Sequence, residues 1–295
     1  MKSGFVAILG RPNVGKSTII NNIVNARISI VTEKAQTTRN NIIGIYNDED
    51  AQIVFVDTPG IHKPNLKIDR EMNSMAFSAA HDVDLNILVI DASQPFGTGD
   101  QFLVDHLDLS NAPLIIVFNK IDLARLGKAE ELKITYYNIF PKAIIVETVA
   151  KEGFNIDELL KTVKKYLPKG PAYYPVEMIT DKDEIFMIKE IIREKALIQL
   201  RDEVPHALAV YIDDINWESN PLKIYASIII EKESQKAIVI GAGGRRIKEI
   251  GIYARHDIER YLKKHIFIEL QVKVDPNWRS HENSLIAYGY KYDKK

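Results

Sequence analysis

The sequence predicts a two-domain protein in which a doubly wound α/β domain precedes a smaller α+β domain. Its 295 residues exceed the usual size of one domain, and a hydrophobic share of 46% is enough for two cores. In the first part, short apolar runs alternate with amphipathic stretches; the runs are FVAIL, IVFVD, NILVID, LIIVFNK and AIIVETV. Because they are continuous rather than alternating, they predict strands covered on both faces in a largely parallel sheet.

The second domain follows a proline-rich connection. The segment PKGPAYYP, residues 168–175, ends the last helix of the first part and stiffens the chain. We therefore expect domains at residues 1–170 and 177–295, with residues 171–176 as part of the linker. The second domain is predicted to contain a helix, two strands, a short helix, a glycine loop, a long helix and a last strand, in that order.

Composition narrows the classes of protein that fit. The chain has no cysteine, which excludes disulfides and thiolate metal sites and fits a reducing compartment. A net charge of −1 gives no general attraction to polyanions, so a nucleic-acid site would need local clustering of charge. The apolar run after Met1 is too short to span a membrane. We expect a cytoplasmic protein and a monomer.

The stretch GRPNVGKS, Gly10 to Ser17, is a phosphate-binding loop between a predicted strand and a predicted helix. Its glycines allow backbone N–H groups to turn toward phosphate oxygens, Lys16 reaches the outer phosphates, and Ser17 offers a hydroxyl to Mg²⁺. The residues predicted to contact the nucleotide are Gly10, Asn13, Val14, Gly15, Lys16 and Ser17 of this stretch, and Thr18 directly after it.

Two further motifs end predicted strands. In DTPG, Asp57 can hold Mg²⁺ through water and the N–H of Gly60 can sense the γ-phosphate. In NKID, which supplies Asn119 and Lys120, the carboxylate of Asp122 can accept two hydrogen bonds that guanine offers and adenine does not. A buried carboxylate left partly unpaired is costly, so Asp122 should select GTP over ATP. Three motifs in this order predict GTP binding.

These motifs, together with QTTR at residues 36–39, resemble the Era-type GTPases over the whole first domain. The resemblance implies that Thr38, or else Thr37, is the switch threonine that closes on Mg²⁺. The chain departs from the family at Val149-Ala150, where a Ser-Ala pair is usual. The backbone N–H of Ala150 is still expected to reach O6 of guanine.

The catalytic side lacks a water-orienting glutamine. Ile61 stands where Ras-like GTPases have that residue, so we expect slow intrinsic hydrolysis assisted by Lys16, Thr38 and Gly60. His62 is interpreted as a solvent-facing turn residue, and no catalytic base is assigned. Asn13 resembles the asparagine that holds a monovalent cation in some related GTPases. The nucleotide motifs make Mg²⁺ the expected cofactor, and the resemblance at Asn13 adds K⁺ as a hypothesis.

A second glycine loop, GAGG at Gly241–Gly244, fits the G-x-x-G of a KH domain, whose backbone clamps single-stranded nucleic acid. The helical run after it carries seven basic side chains against three acidic ones. A dinucleotide-binding loop is disfavoured because Arg246 occupies the place of its last glycine, whereas a capped, solvated basic helix remains open. The predicted RNA contacts are Gly241, Ala242, Gly243, Gly244, Arg245, Arg246 and Lys248.

The order of predicted elements around this loop, with VKVDPNWR at residues 272–279, resembles the type II KH domain at the C-terminal end of Era-type GTPases. The resemblance then spans nearly the whole chain. It implies binding near the 3′ end of 16S ribosomal RNA, a role in small-subunit (30S) assembly and peripheral membrane association. The alternative is a membrane-associated regulatory GTPase whose KH-like domain binds a protein partner. A tRNA-modification GTPase is disfavoured because the chain lacks that class's C-terminal cysteine.

Overall fold

The chain forms two compact units in a computed structural model that describes residues 1–34, 36–109, 112–201 and 204–291. The first unit is built from Met1–Val31, Gln36–Asn65 and Asp69–Asp181. The second consists mainly of Lys182–Lys295. Among the described residues, no helix is both long enough and apolar enough to span a lipid bilayer.

The first unit is built on a six-stranded sheet. Its strands are β1 (Lys2–Leu9), β2 (Ile42–Asn47), β3 (Ala51–Asp57), β4 (Leu85–Asp91), β5 (Leu114–Asn119) and β6 (Ile144–Thr148), arranged in the order β2-β3-β1-β4-β5-β6. Every neighbouring pair is parallel except β2 with β3. The mostly parallel sheet is confirmed, and the antiparallel edge strand β2 is an addition to the five predicted strands.

The α-helices among the described residues of this part are α1 (Lys16–Ile23), α2 (Lys67–His81), α3 (Thr98–His106), α4 (Lys128–Ile139) and α5 (Ile156–Tyr166). Strand β5 is buried at every position, as its continuous apolar run requires when both faces of a sheet are covered. The P-loop, DTPG, NKID and the Val149-Ala150 turn follow β1, β3, β5 and β6. Because the carboxyl ends of parallel strands share one edge, all four motifs lie at that edge.

The proline-rich connection packs along the first unit. The backbone N–H groups of Tyr173 and Tyr174 donate to Oε1 of Gln52, at 2.5 and 2.9 Å, and the ring of Tyr173 lies 4.9 Å from that of Phe5. Gln52 is fully buried, so its amide needs these partners. The first unit therefore continues to Asp181, beyond residue 176, where the predicted linker ends.

The second unit follows the predicted element order. It consists of α6 (Glu184–Gln199), β7 (Ala209–Asn216), β8 (Leu222–Ile230), α7 (Glu233–Ile240), α8 (Arg245–Leu262), β9 (Ile266–Val274) and α9 (Glu282–Ala287). In the sheet order β7-β8-β9, the first pair is antiparallel and the second parallel. The α+β arrangement of a type II KH domain is thus confirmed.

The core of the second unit lies between its sheet and its helices. Apolar side chains of α6, α8 and the strands share one buried cluster, which includes Ile188, Ile192, Ile224, Ile228, Ile250, Ala254 and Ile258. Trp278, beyond β9, is also fully buried, and its Nε1 donates to the carbonyl of Ala207 at 2.8 Å. Helix α8 is therefore anchored by its apolar face, while its N-terminal end carries the glycine loop.

Candidate functional site

The conformation of the P-loop depends on its glycines. Gly10 and Gly15 have φ values of 146° and 107°, which residues with a side chain rarely adopt. A Cβ at Gly15 would collide with the amide nitrogen of Asn119, and one at Gly10 would collide with the carbonyl oxygen of Val89. Both positions therefore exclude a side chain.

Lys16 lies across the P-loop in a buried position. Its Nζ donates to the carbonyl oxygens of Gly10 and Arg11, at 3.1 and 2.9 Å. Burial lowers the pKa of Lys16 to about 8, and the nearby carboxylate of Asp57 opposes this shift. The P-loop thus holds the ammonium group through carbonyl oxygens. The same group is predicted to bind the phosphates of the nucleotide.

The three predicted magnesium residues lie together. Ser17 Oγ donates to Asp57 Oδ2 at 2.7 Å and lies 2.9 Å from Oγ1 of Thr38. The structure therefore brings Thr38, the first choice for the switch threonine, to the cluster. Asp57 is fully buried, and desolvation raises its pKa against the opposing effects of Ser29, Lys16 and Ser17.

This cluster fits a magnesium ion. Asp57 Oδ1 is buried and has no hydrogen-bond partner among the described residues, which leaves one carboxylate oxygen for a ligand. Hydroxyl and carboxylate oxygens are hard donors of the kind that Mg²⁺ binds with substrate phosphates. Ser29 Oγ also donates to Asp57 Oδ2, at 2.7 Å. The sequence analysis missed Ser29, which belongs to no motif.

Asn119 connects three loops at the predicted guanine site. Its Nδ2 donates to the carbonyl of Val14 at 2.8 Å, and its Oδ1 accepts from Thr148 Oγ1 at 3.1 Å and from the backbone N–H of Ala150 at 2.9 Å. The neighbouring Lys120 donates through Nζ to the carbonyl of Asn13 at 2.7 Å. The NKID loop is therefore bound to the P-loop by two side chains.

Two details of the guanine site differ from the sequence analysis. The carboxylate of Asp122 is exposed rather than buried, because it lies on a short 3₁₀ turn, Ile121–Leu123, that faces outward. Its selectivity therefore requires that a bound base cover it. The N–H of Ala150, expected at O6 of guanine, donates to Asn119 instead. That predicted contact would require this N–H to be shared or to change its partner.

His62 is not the solvent-facing residue that the sequence suggests. Only 24% of its side chain is exposed; Nδ1 lies 3.0 Å from the carbonyl of Gly60, and Nε2 lies 3.3 Å from Oδ1 of Asp69. Hydrogen bonding to Asp69 raises the pKa of His62. Ile61 is fully buried, and a Cβ at Gly60 would lie 2.7 Å from Cα of Pro12. No water-orienting side chain comes from Ile61.

The second glycine loop joins α7 to α8 on the open surface of the second unit. Gly241, Gly243 and Gly244 have φ values of 72°, 58° and 76°. A Cβ at Gly243 or Gly244 would meet no atom within 4 Å, so a ligand has free access to this backbone. Ala242 is exposed beside them.

The basic residues after this loop have different environments. Arg245 and Lys248 are exposed. Arg246 donates from Nη1 to the carbonyl of Ile238 at 2.7 Å and thereby caps the end of α7. Its guanidinium is thus engaged within the protein, although the sequence analysis grouped all three residues as RNA contacts.

A groove of about 310 Å³ lies next to the loop, between α8 and β9. Its lining combines apolar residues with two basic residues and one acidic residue, and includes Ile247, Lys248, Ile252, Arg255, Ile268, Glu269 and Leu270. The sequence analysis did not predict it, because the groove is formed by side chains of two elements that only the fold brings together.

The fold and the two loops define a P-loop GTPase with a C-terminal KH domain. Residues 5–120 match the family described as 50S ribosome-binding GTPase, and residues 203–279 match the KH domain family. The chain is 46% identical over 300 residues to the GTPase Era of Leuconostoc citreum (strain KM20), covering 98% of this chain and 96% of that protein. The chain belongs to the Era family of GTPases.

Two solved structures resemble the chain over 98% of its length and 99% of theirs. One is a variant of Aquifex aeolicus Era bound to GDP and AlF₄⁻, at 39% identity and a TM-score of 0.93. The other is Era in complex with MgGDPNP and nucleotides 1506–1542 of 16S ribosomal RNA, at 40% identity and a TM-score of 0.92. The protein is a GTPase.

Proposed function

We propose that this GTPase binds the 3′ region of 16S ribosomal RNA and acts in assembly of the small ribosomal subunit. The observation that carries the proposal is the open glycine loop, which precedes a basic helix in a chain that aligns along its length with an Era–16S RNA complex. RNA phosphates can approach Gly243 and Gly244 because a Cβ at either position would have no described atom within 4 Å.

The groove beside the loop supports single-stranded RNA as the ligand. KH domains clamp about four nucleotides, with phosphates at the loop and bases in an adjoining groove. Here the apolar lining offers contact area to bases, while Lys248 and Arg255 supply positive charge that exceeds the negative charge of Glu269. Backbone N–H groups of the loop would bind the phosphates.

The nucleotide residues have separate proposed roles. Mg²⁺, when bound, would neutralise phosphate charge that develops during hydrolysis. The proposed holders of the ion are Ser17, Thr38 and Asp57, while Lys16 and the Gly60 N–H contact the outer phosphates. The part of the site that would bind the guanine base is formed by Asn119, Lys120, Asp122 and the Ala150 N–H. Because Ile61 is buried, water must be oriented by other groups, and intrinsic turnover should be slow.

Sequencing of RNA crosslinked to the protein tests the proposed partner. We expect reads concentrated at the 3′ end of 16S RNA, and we expect their number to change when a non-hydrolysable GTP analogue replaces GDP. Reads spread evenly over cellular RNA would contradict the proposal. Loss of RNA crosslinks together with capture of protein or membrane partners would favour a membrane-associated regulatory GTPase.

We also propose that K⁺ accelerates hydrolysis through Asn13. This residue is exposed in the P-loop with a left-handed backbone (φ 63°), and its carbonyl is held by Lys120. A cation there would stabilise transition-state charge in the way that an arginine finger does. We expect faster turnover in potassium chloride than in sodium chloride at equal ionic strength, and Asn13→Ala should remove the difference. Equal rates for the unaltered protein would refute the proposal.

A further inference from the structure

Ser29 is a buried hydroxyl residue beside the magnesium cluster. It is fully buried, and its Oγ donates a 2.7 Å hydrogen bond to Oδ2 of Asp57. Ser17 Oγ donates to the same oxygen, also at 2.7 Å. Oδ2 thus has two hydroxyl donors, whereas Oδ1 has no hydrogen-bond partner within the described part of the chain. This unequal pairing leaves Oδ1 as the oxygen available to another ligand.

Asn21 on α1 holds Ser29 in this position. Its Oδ1 accepts from the backbone N–H groups of Ile28 and Ser29, each at 3.1 Å, and its Nδ2 donates to the carbonyl of Ser29 at 2.8 Å. Helix α1 begins with Lys16 and Ser17. The helix that carries the P-loop hydroxyl therefore also fixes the second hydroxyl on Asp57, and Ser29 cannot move away without breaking these bonds.

We propose that Ser29 is a positioning residue for Mg²⁺. Its hydroxyl orients the carboxylate of Asp57, so that Oδ1 rather than Oδ2 is available to the ion or to a water bound by it. Residues that orient metal ligands contribute substantially to metal affinity without touching the metal. The inference rests on the proposed assignment of Asp57 to the magnesium site.

The test is the Mg²⁺ dependence of binding of a fluorescent GDP to the full-length protein. For Ser29→Ala, we expect the Mg²⁺ concentration that gives half-maximal tightening of GDP binding to rise roughly tenfold. GDP affinity in EDTA should stay unchanged, because Ser29 acts only through the ion. Ser3→Ala is the matched control: Ser3 is also fully buried, its Oγ has no hydrogen-bond partner among the described residues, and its variant should keep the wild-type midpoint.

Two outcomes would overturn the proposal: a wild-type midpoint in Ser29→Ala, or equal weakening of GDP binding with and without Mg²⁺. If the alanine variant does not fold, Ser29→Cys fills the same space with a weak donor and should shift the midpoint in the same direction. Asp57→Ala separates the two assignments. A wild-type midpoint in that variant would remove the proposed magnesium site itself, whereas a shift in Asp57→Ala alone would remove only the role of Ser29.

Discussion

At the scale of single residues, side-chain amides align the loops of the nucleotide site. Asn119 joins the P-loop to the turn after β6, and Asn22 on α1 donates through Nδ2 to the carbonyl of Ala150 at 2.9 Å. The turn at Ala150 is therefore held from two sides. Asn119 is buried, and a buried side-chain amide is costly to leave unpaired, so its bonds help to keep the loops in one arrangement.

Asp122 offers a prediction at this scale. Replacing Asp122 with Asn should weaken GTP binding by about a hundredfold or more, because the amide presents a donor where the guanine N1–H and amine need an acceptor. Binding of xanthosine triphosphate should strengthen, since its base offers the complementary acceptor. Competition between the two triphosphates measures the change. Asp82→Asn, at a side chain that is 89% exposed, removes the same charge and should leave the preference unaltered.

At the scale of elements, both functional loops lie at helix ends that lack a side-chain cap. Helix α1 follows Gly15 and α8 follows Gly244, and neither helix has a side-chain cap within the described ranges. Uncapped N-terminal N–H groups and the helix dipole favour anions. The first turn of α8 also contains no acidic residue. The two helix ends thus present similar chemistry, although α1 follows a strand and α8 follows another helix.

The loop before α8 supplies the element-scale prediction. Gly243→Asp should lower affinity for the 16S 3′ fragment at least about tenfold, because a carboxylate would repel phosphates that approach the backbone. Fluorescence anisotropy of labelled RNA measures this change. Gly127→Asp is the matched control. Gly127 also precedes a helix, has a positive φ of 78° and has open space where a Cβ would lie. If both variants bind RNA like the unaltered protein, the KH assignment of this loop fails.

At the scale of the whole molecule, the two anion-binding loops belong to different compact units. Every proposed nucleotide residue lies between Gly10 and Ala150, within the first unit, and the glycine loop lies within the second. Separate cores imply that a surface change in one unit leaves the other folded. Gly243→Asp should therefore bind GTP with unchanged affinity, while circular dichroism checks that its second unit is folded.

The sequence by itself determined the elements and motifs that depend on neighbouring residues. Continuous apolar runs indicated the buried parallel strands, and the spacing of GRPNVGKS, DTPG and NKID placed Lys16, Asp57 and Asp122 at strand ends. The element order of the KH domain followed in the same way. Strand β2 was not predicted, because as an antiparallel edge strand with a glycine in IIGIYN it lacks the continuous pattern of the others.

Only the tertiary structure decided which distant side chains meet. It placed Thr38 beside Ser17, directed Ser29 to Asp57 and turned Arg246 back onto α7. These contacts depend on where separate elements pack and on which buried polar atoms need partners, and neither is written in local periodicity. For the same reason, His62 is partly buried against Asp69, although its sequence context predicts a solvent-facing residue.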